Sequence, residues 1–203
     1  MQPWPESILK TLAEASPVES AQALLGSLLV GPDGRIARIV ETEAYGGSDD
    51  RGSHAWHGIR PKNAGMFGAP GRAYVYISYG CHWMLNVVCC PEGVGSAVLI
   101  RAAEPLEGLD AMRLLRPKIE TDSLLLKGPG RLAQAYGING SHDGLALFDA
   151  TSPFHLLRPD KEAADILVSR RIGLAAGRGD DLPWRFILKN RLKWASRGVL
   201  API

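Results

Sequence analysis

A chain of 203 residues that is 46% hydrophobic and 22% charged is sized for one domain, over residues 1–203, with a core that needs no disulfides. Its longest apolar runs, such as 97–100 and 124–126, are far too short to cross a bilayer, and Met1-Gln2-Pro3-Trp4-Pro5-Glu6 lacks the regions of a signal peptide, so a cytosolic protein with no membrane partner is expected. The net charge of +2 is unevenly spread: from residue 170 to 203 eight basic residues stand against two acidic ones, about +6, which leaves about −4 for the rest and predicts a basic face able to track phosphates.

Ser16-Pro17-Val18-Glu19 has the form of a capping box with proline at the first helical position, predicting a helix to about Leu25 that stops at Gly26. Gly31-Pro32-Asp33-Gly34 is a turn between two apolar runs, so 28–30 and 36–43 are expected to pair antiparallel, the second leading into Tyr45. Residues 46–72 are rich in Gly, Asp, Pro, Arg and His and show no helical or strand period. With His54, Trp56, His57, Met66 and Phe67 among them, they read as an ordered, functional loop. Residues 73–78 and 83–89 are aromatic and β-branched strands of a hairpin. Its tip, Tyr79-Gly80-Cys81-His82, carries a tyrosine where turns favour polar residues. A strand follows at 96–102, then Leu109, Met112 and Leu115 at helical spacing. Gly128-Pro129 opens another helix, with Leu132, Ala135 and Tyr136 inward and Gly137 as its C-terminal cap. Residues 165–171 and 186–188 read as late strands. Cys81, Cys89 and Cys90 imply no disulfide framework and are expected as small buried hydrophobes. The fold class expected is α+β, one mixed domain with hairpins and mostly antiparallel pairing.

Residues able to do chemistry concentrate between Glu41 and Arg101. Glu41 and Glu43, two apart on a strand, face the same side. A polar strand edge is the plainer account of the pair. A carboxylate there can also activate water against a glycosidic bond whose leaving group departs easily. An alkylated or protonated purine leaves in that way, without the second, acidic carboxylate of most sugar hydrolases. Four of the five tyrosines, Tyr45, Tyr74, Tyr76 and Tyr79, fall in the same stretch, and Tyr74 and Tyr76 share a strand face. They read either as a ladder in the core or as rings that clamp a flat base. His54 and His57 form H-x-x-H without a third ligand at suitable spacing, a weak metal signal. Gly128-Pro129-Gly130-Arg131 brings helix amides and a cation together, suited equally to a phosphate or to an ordinary cap. Neither G-x-x-x-x-G-K-[ST] nor G-x-G-x-x-G occurs, so no nucleotide cofactor is indicated.

Together, E-T-E-A-Y at 41–45, His54, N-x-G-M-F at 63–67, Y-V-Y-x-x-Y-G at 74–80, Asn86 and L-x-R-A-x-E-P-L-E-G at 99–108 resemble the alkyladenine (3-methyladenine) DNA glycosylase family. Weaker matches at G-P-G-R-L (128–132), R-I-G (171–173) and P-W-R-F (183–186) extend the resemblance over most of the chain from about Ser20 onward. It implies a fold similar to the C-terminal domain of methionyl-tRNA formyltransferase: a curved antiparallel sheet, surrounding helices and a protruding β-hairpin that enters the DNA minor groove. It implies no metal or redox cofactor, double-stranded DNA containing damaged purines as the partner, association with the nucleoid through that DNA, and a monomer.

By motif, Glu43 matches the residue that activates water and Arg101 the arginine that helps position that water. Tyr45, His54 and Tyr76 match residues that stack against a flipped base, with the His54 backbone on its edge. Tyr79 matches the wedge that fills the gap in the duplex, and Asn86 a pocket residue that disfavours the guanine 2-amino group. The reaction implied is hydrolysis of the N-glycosidic bond of 3-methyladenine, 7-methylguanine, ethenoadenine or hypoxanthine, leaving an abasic site. No lysine stands in a motif for Schiff-base chemistry. Cys81, two residues after the wedge, departs from relatives that carry a larger apolar residue there. Two other classes fit parts of the chain. One is a catalytically inert nucleic-acid binding module on the same fold, which has no need of Glu43 beside Arg101. The other is a helix-hairpin-helix glycosylase, hinted at only by Gly128-Pro129-Gly130.

Overall fold

The computed structural model describes residues 2–158 and 165–198. Among these, nine strands join in one antiparallel sheet: β1 (Gln2–Pro3), β2 (Leu28–Val30), β3 (Ile36–Tyr45), β4 (Ala73–Ser78), β5 (His82–Cys89), β6 (Ser96–Glu107), β7 (His155–Arg158), β8 (Ile166–Ser169) and β9 (Arg185–Leu188). The main path runs β1-β7-β2-β3-β6-β5-β4. Helices α1 (Ser7–Glu14), α2 (Pro17–Ala23), α3 (Leu109–Leu115) and α4 (Pro129–Tyr136) complete a single mixed domain. No helix among the described residues is long and apolar enough to cross a membrane.

The sheet divides at β3. Residues 36–38 pair with β2, residues 41–43 pair with β9 on the same edge, and β6 runs along the other. Paired along both edges, this strand is also covered on both faces. Ile39, Val40 and Ala44 have no exposure, and neither have Glu41 and Glu43 between them. The glutamates therefore do not mark a polar strand edge; β3 carries two carboxylates into the interior. Opposite them the register slips, because Glu41 pairs with Ala102 while Thr42 pairs with Ile100. Arg101 is left as the extra residue of a β-bulge, a device that re-aims a side chain.

Local signals account for the helices that were legible. The α2 capping box is formed: the Glu19 amide donates to Ser16 Oγ at 3.2 Å and the Ser16 amide to Glu19 Oε2 at 2.8 Å. Helix α4 buries Leu132, Ala133, Ala135 and Tyr136, and Gly137 ends it in the left-handed conformation at φ 70°. Helix α1 has no side-chain cap and no acidic first turn. Burial of Ile8 and Leu12 holds it instead, at about 1.5–3 kcal/mol for each side chain.

Several expectations need correction. The strand at 96–102 continues to Glu107 through Pro105, which sits at a second register shift where a missing N–H is tolerated. Helix α3 buries only Met112 and leaves Leu114 and Leu115 exposed. The strand at 165–171 ends at Ser169, because Arg171 turns inward to Asp50. Elements β1, α1 and β7 carried no strong sequence signal. Cys81 is exposed at the hairpin tip, and only Cys89 and Cys90 are buried. Nor is the basic C-terminal segment a continuous cationic face. Arg171 and Arg185 are buried against Asp50 and Glu41, Arg191 pairs with Glu104, and Lys189 pairs with Asp165. Residues 199–203 of that segment lie outside the described residues.

Candidate active site

Beyond the sheet face that carries the main core lies a smaller cluster of Ala55, Met66, Tyr74, Val88 and Ala97. It borders a cavity of about 400 Å³, within the size range of small-ligand sites. Strand alternation puts Tyr74 and Tyr76 on this face, with rings stacked 5.3 Å apart at 28°. The His54 ring stands edge-on to Tyr76 at 4.5 Å, and its Nδ1 shares a hydrogen bond with the Tyr74 hydroxyl at 2.9 Å. Desolvation, helped by Lys62, lowers the His54 pKa below its ordinary value, which favours the neutral imidazole. Burial pushes the Tyr76 hydroxyl up to about 12 and the Tyr74 hydroxyl higher, so both stay protonated.

The loop from 46 to 72 is ordered by two 3-10 turns, His54–His57 and Pro61–Phe67. Ser53 caps the first by accepting from the Ala55 amide at 3.1 Å. Asn63 ties the two together: its Nδ2 donates to the carbonyls of His54 at 2.8 Å and Gly58 at 3.1 Å, and its Oδ1 accepts from the Arg60 amide at 2.6 Å. The His54 carbonyl is thus pinned by Asn63.

The two glutamates are held differently. Glu43 accepts from the Ile172 amide at 2.8 Å, the Tyr45 hydroxyl at 2.9 Å and Arg101 Nη1 at 3.4 Å. All three partners line the cavity. Burial pushes the Glu43 carboxyl above the ordinary glutamate value, against Arg101 and the Ile172 amide, which pull it down. Glu41 accepts from Arg185 Nε at 2.6 Å, the Ser196 amide at 2.6 Å and the Ser196 hydroxyl at 2.8 Å, and it lies 3.3 Å from Arg101 Nε. Arg101, at the bulge, spans both carboxylates.

Tyr45 is backed by a buried cation. The Arg171 guanidinium lies 4.7 Å from the Tyr45 ring centroid and 5.2 Å from that of Trp184. Asp50 receives it at 2.6 and 2.7 Å. Asn86, opposite Tyr74 in the β4–β5 hairpin, donates Nδ2 to the Tyr74 carbonyl at 2.9 Å while lining the cavity. It therefore satisfies a backbone group and faces the pocket at once. Tyr79, at the hairpin tip, is 86% exposed and borders the cavity mouth. Its φ is 51° and that of Gly80 is 70°, both in the left-handed region; they are the central residues of a turn closed by the Cys81 amide donating to the Ser78 carbonyl at 3.2 Å, within the three-residue loop between paired Ser78 and His82. An aromatic residue in that region is strained.

The structure gathers the seven residues that the family resemblance had assigned to a site. Tyr45, His54, Tyr76, Tyr79, Asn86 and Arg101 line one cavity, and Glu43 lies directly behind three of its walls. Pro129, from the start of α4, joins them. The H-x-x-H pair does not converge: His54 turns to Tyr74, and the His57 ring lies 4.2 Å from Trp56. No group of three or more His, Cys, Asp or Glu among the described residues is placed to hold a metal. Sequence reasoning missed Met84, Leu99, Ile172 and Leu174 as lining residues. Two carried a usable signal, since Met84 lies two before Asn86 and Leu99 two before Arg101, each on the same strand face. Ile172 acts through its backbone, which no side-chain pattern reveals.

Fold and site together define a mixed α/β domain with a cavity walled by aromatic rings beside a buried carboxylate. The family described as Methylpurine-DNA glycosylase (MPG) matches residues 11–192, and the chain belongs to that family. It is 46% identical over 186 residues to a protein of Burkholderia orbicola, covering 91% of this chain and 89% of that one. It is 47% identical over 192 residues to one of Agrobacterium fabrum, with 93% and 92% covered. Over 173 residues it is 50% identical to one of Rhodopseudomonas palustris, with 85% and 80% covered. All three carry the name "Putative 3-methyladenine DNA glycosylase".

Proposed function

We propose that this protein is a monofunctional DNA glycosylase of base-excision repair that flips a damaged purine into the aromatic cavity and hydrolyses its N-glycosidic bond. The observation that carries the reading is the Glu43 carboxylate, buried and held by Tyr45, Ile172 and Arg101, all of which line that cavity. Ionised Glu43 takes a proton from water as the water oxygen bonds to C1′. The C1′–N bond breaks, and its electron pair leaves with the purine. A cationic or readily protonated base needs no acid catalyst to depart, so one carboxylate suffices. Tyr45, His54 and Tyr76 flank the base, and Arg101 orients the water. Asn86, held by the Tyr74 carbonyl, crowds the position where guanine carries an amino group. Lysine is absent from the described residues lining the cavity, in keeping with hydrolysis without strand cleavage. The names of the relatives support the substrate class.

The test is base release from duplexes containing 3-methyladenine, 7-methylguanine, ethenoadenine or hypoxanthine. Free purine and an intact strand bearing an abasic site are expected from at least one of them. No release from any, with the protein folded and bound to DNA, favours the inert binding module instead.

Tyr79 is proposed as the wedge that replaces the flipped nucleotide, and its backbone strain makes a sharp test available. Asparagine tolerates the left-handed region, so Tyr79→Asn is expected to raise stability by about 0.5–1 kcal/mol in denaturant unfolding. The same change removes a stacking ring worth about 1–3 kcal/mol and should weaken binding to lesion-containing duplex. Excision from a single-stranded lesion should suffer much less. A loss of stability, or equal losses on both substrates, would show that the ring supports the fold.

A further inference from the structure

A second cleft, of about 820 Å³, adjoins the base cavity along His54, Tyr76, Tyr79 and Leu174, which line both. Its chemistry is different. Arg51, Arg60, Lys62 and Arg178 line it, and among the described residues no carboxylate does. All four cations are exposed, and none forms an ion pair with a carboxylate among the described residues. Like charges collected around one cleft favour an anion that bridges them.

Two of these cations are pre-positioned. The guanidinium carbons of Arg51 and Arg178 lie 5.5 and 5.8 Å from the Trp56 ring centroid. A cation held over an aromatic ring in this way spends none of its N–H donors on the contact, which leaves them for the oxygens of a phosphate. The frame beneath is tight. Asp50, next to Arg51, holds Arg171, and Arg171 Nη2 donates to the Gly179 carbonyl, next to Arg178, at 3.0 Å. Between the two segments a Cβ on Gly52 would lie 2.8 Å from the Arg178 carbonyl oxygen and from Leu174 Cδ1. Residues 50–52 and 174–179 are therefore locked together with their arginines over one ring.

We propose that this cleft is a phosphate clamp for DNA, in which Arg51 and Arg178, organised on Trp56, hold the strand that carries the flipped nucleotide. The inference rests on reading the first cavity as the base site. A nucleotide seated there remains bonded to its flanking phosphates, and His54 and Tyr79, which line both spaces, leave the second cleft beside it. Arg60 and Lys62 extend the same track.

The experiment uses the full chain and a duplex with a non-hydrolysable abasic-site analogue, with affinity measured across salt concentrations. In R51Q/R178Q the slope of log affinity against log salt is expected to shrink by about 1–2, with affinity lowered about tenfold at moderate salt. Trp56→Ala is expected to behave alike, and Trp56→Phe to restore most of the loss. In base-release assays the loss should fall on the half-saturating enzyme concentration and not on the saturated rate. Neutral methylphosphonates beside the lesion, on its own strand, should reproduce the slope change in the wild type and add little in R51Q/R178Q. An unchanged slope in R51Q/R178Q, or sensitivity only to methylphosphonates on the opposite strand, overturns the clamp. Base release by a wild type whose slope is indifferent to Arg51 and Arg178 sinks the clamp and leaves the glycosylase standing. Tight, salt-dependent binding without base release sinks the glycosylase, and the clamp is then decided by the slope alone.

Discussion

Glu43→Gln is expected to lower single-turnover base release by about two to four orders of magnitude, the usual contribution of a general base. Glutamine keeps the shape. Its carbonyl can still accept from the Ile172 amide, and the Tyr45 hydroxyl can reverse to accept from the new amide. Binding to duplex with an abasic-site analogue should therefore survive. Wild-type release should fall as pH drops through the Glu43 pKa. Burial places that limb above the ordinary glutamate value of 4.5. The limb should be missing from the residual activity of the variant. Stability gives a second check. Because the folded-state pKa lies above the unfolded value, Glu43 favours folding below the unfolded pKa and loses that contribution as pH rises through the folded one. At neutral pH its neutralisation should leave stability equal or higher. Near-normal release by Glu43→Gln would remove it as the base.

Glu41→Gln should fail in the opposite way. The Arg185 side chain is 1% exposed, its Nη1 has no hydrogen-bond partner among the described residues, and Glu41 is its counter-charge at 2.6 Å. Removing one partner of such a pair leaves a buried charge uncompensated, at about 3–5 kcal/mol. That is a large part of the roughly 5–15 kcal/mol that keeps a domain folded. A pronounced drop in the urea midpoint is expected. Base release at low temperature should fall less than in Glu43→Gln, since Arg101 keeps its contact with Glu43. A Glu41→Gln protein as stable as wild type but inactive would reverse the roles assigned to the two carboxylates.

The pair shows where a linear reading stops. Alternation along one strand placed both side chains on one face, and Arg101 indeed reaches both. It could not distinguish them, because what separates them arrives from far along the chain. The Ile172 amide that holds Glu43 lies 129 residues away, and Arg185 and Ser196, which hold Glu41, lie 144 and 155 residues away. The basic segment teaches the same lesson. Counting charges cannot separate Arg171 and Arg185, sunk into ion pairs, from Arg178, exposed beside Trp56.

What the amino-acid order determined by itself was local. The α2 capping box, the glycine that ends α4, the turn into β3 and the tyrosine-tipped hairpin all follow from residue types within a few positions of one another. The resemblance to a known family, carried by motifs spread along the chain, likewise named the seven residues around the cavity. The tertiary structure alone decided that β3 is buried on both faces, that a one-residue register slip against β6 points Arg101 at two carboxylates, and that Cys81 is exposed. The physical reason is range. Dihedral preferences and caps act between near neighbours, whereas burial, register and ion pairing depend on which distant segments meet, and the Glu43 carboxylate acquires its environment only from those meetings.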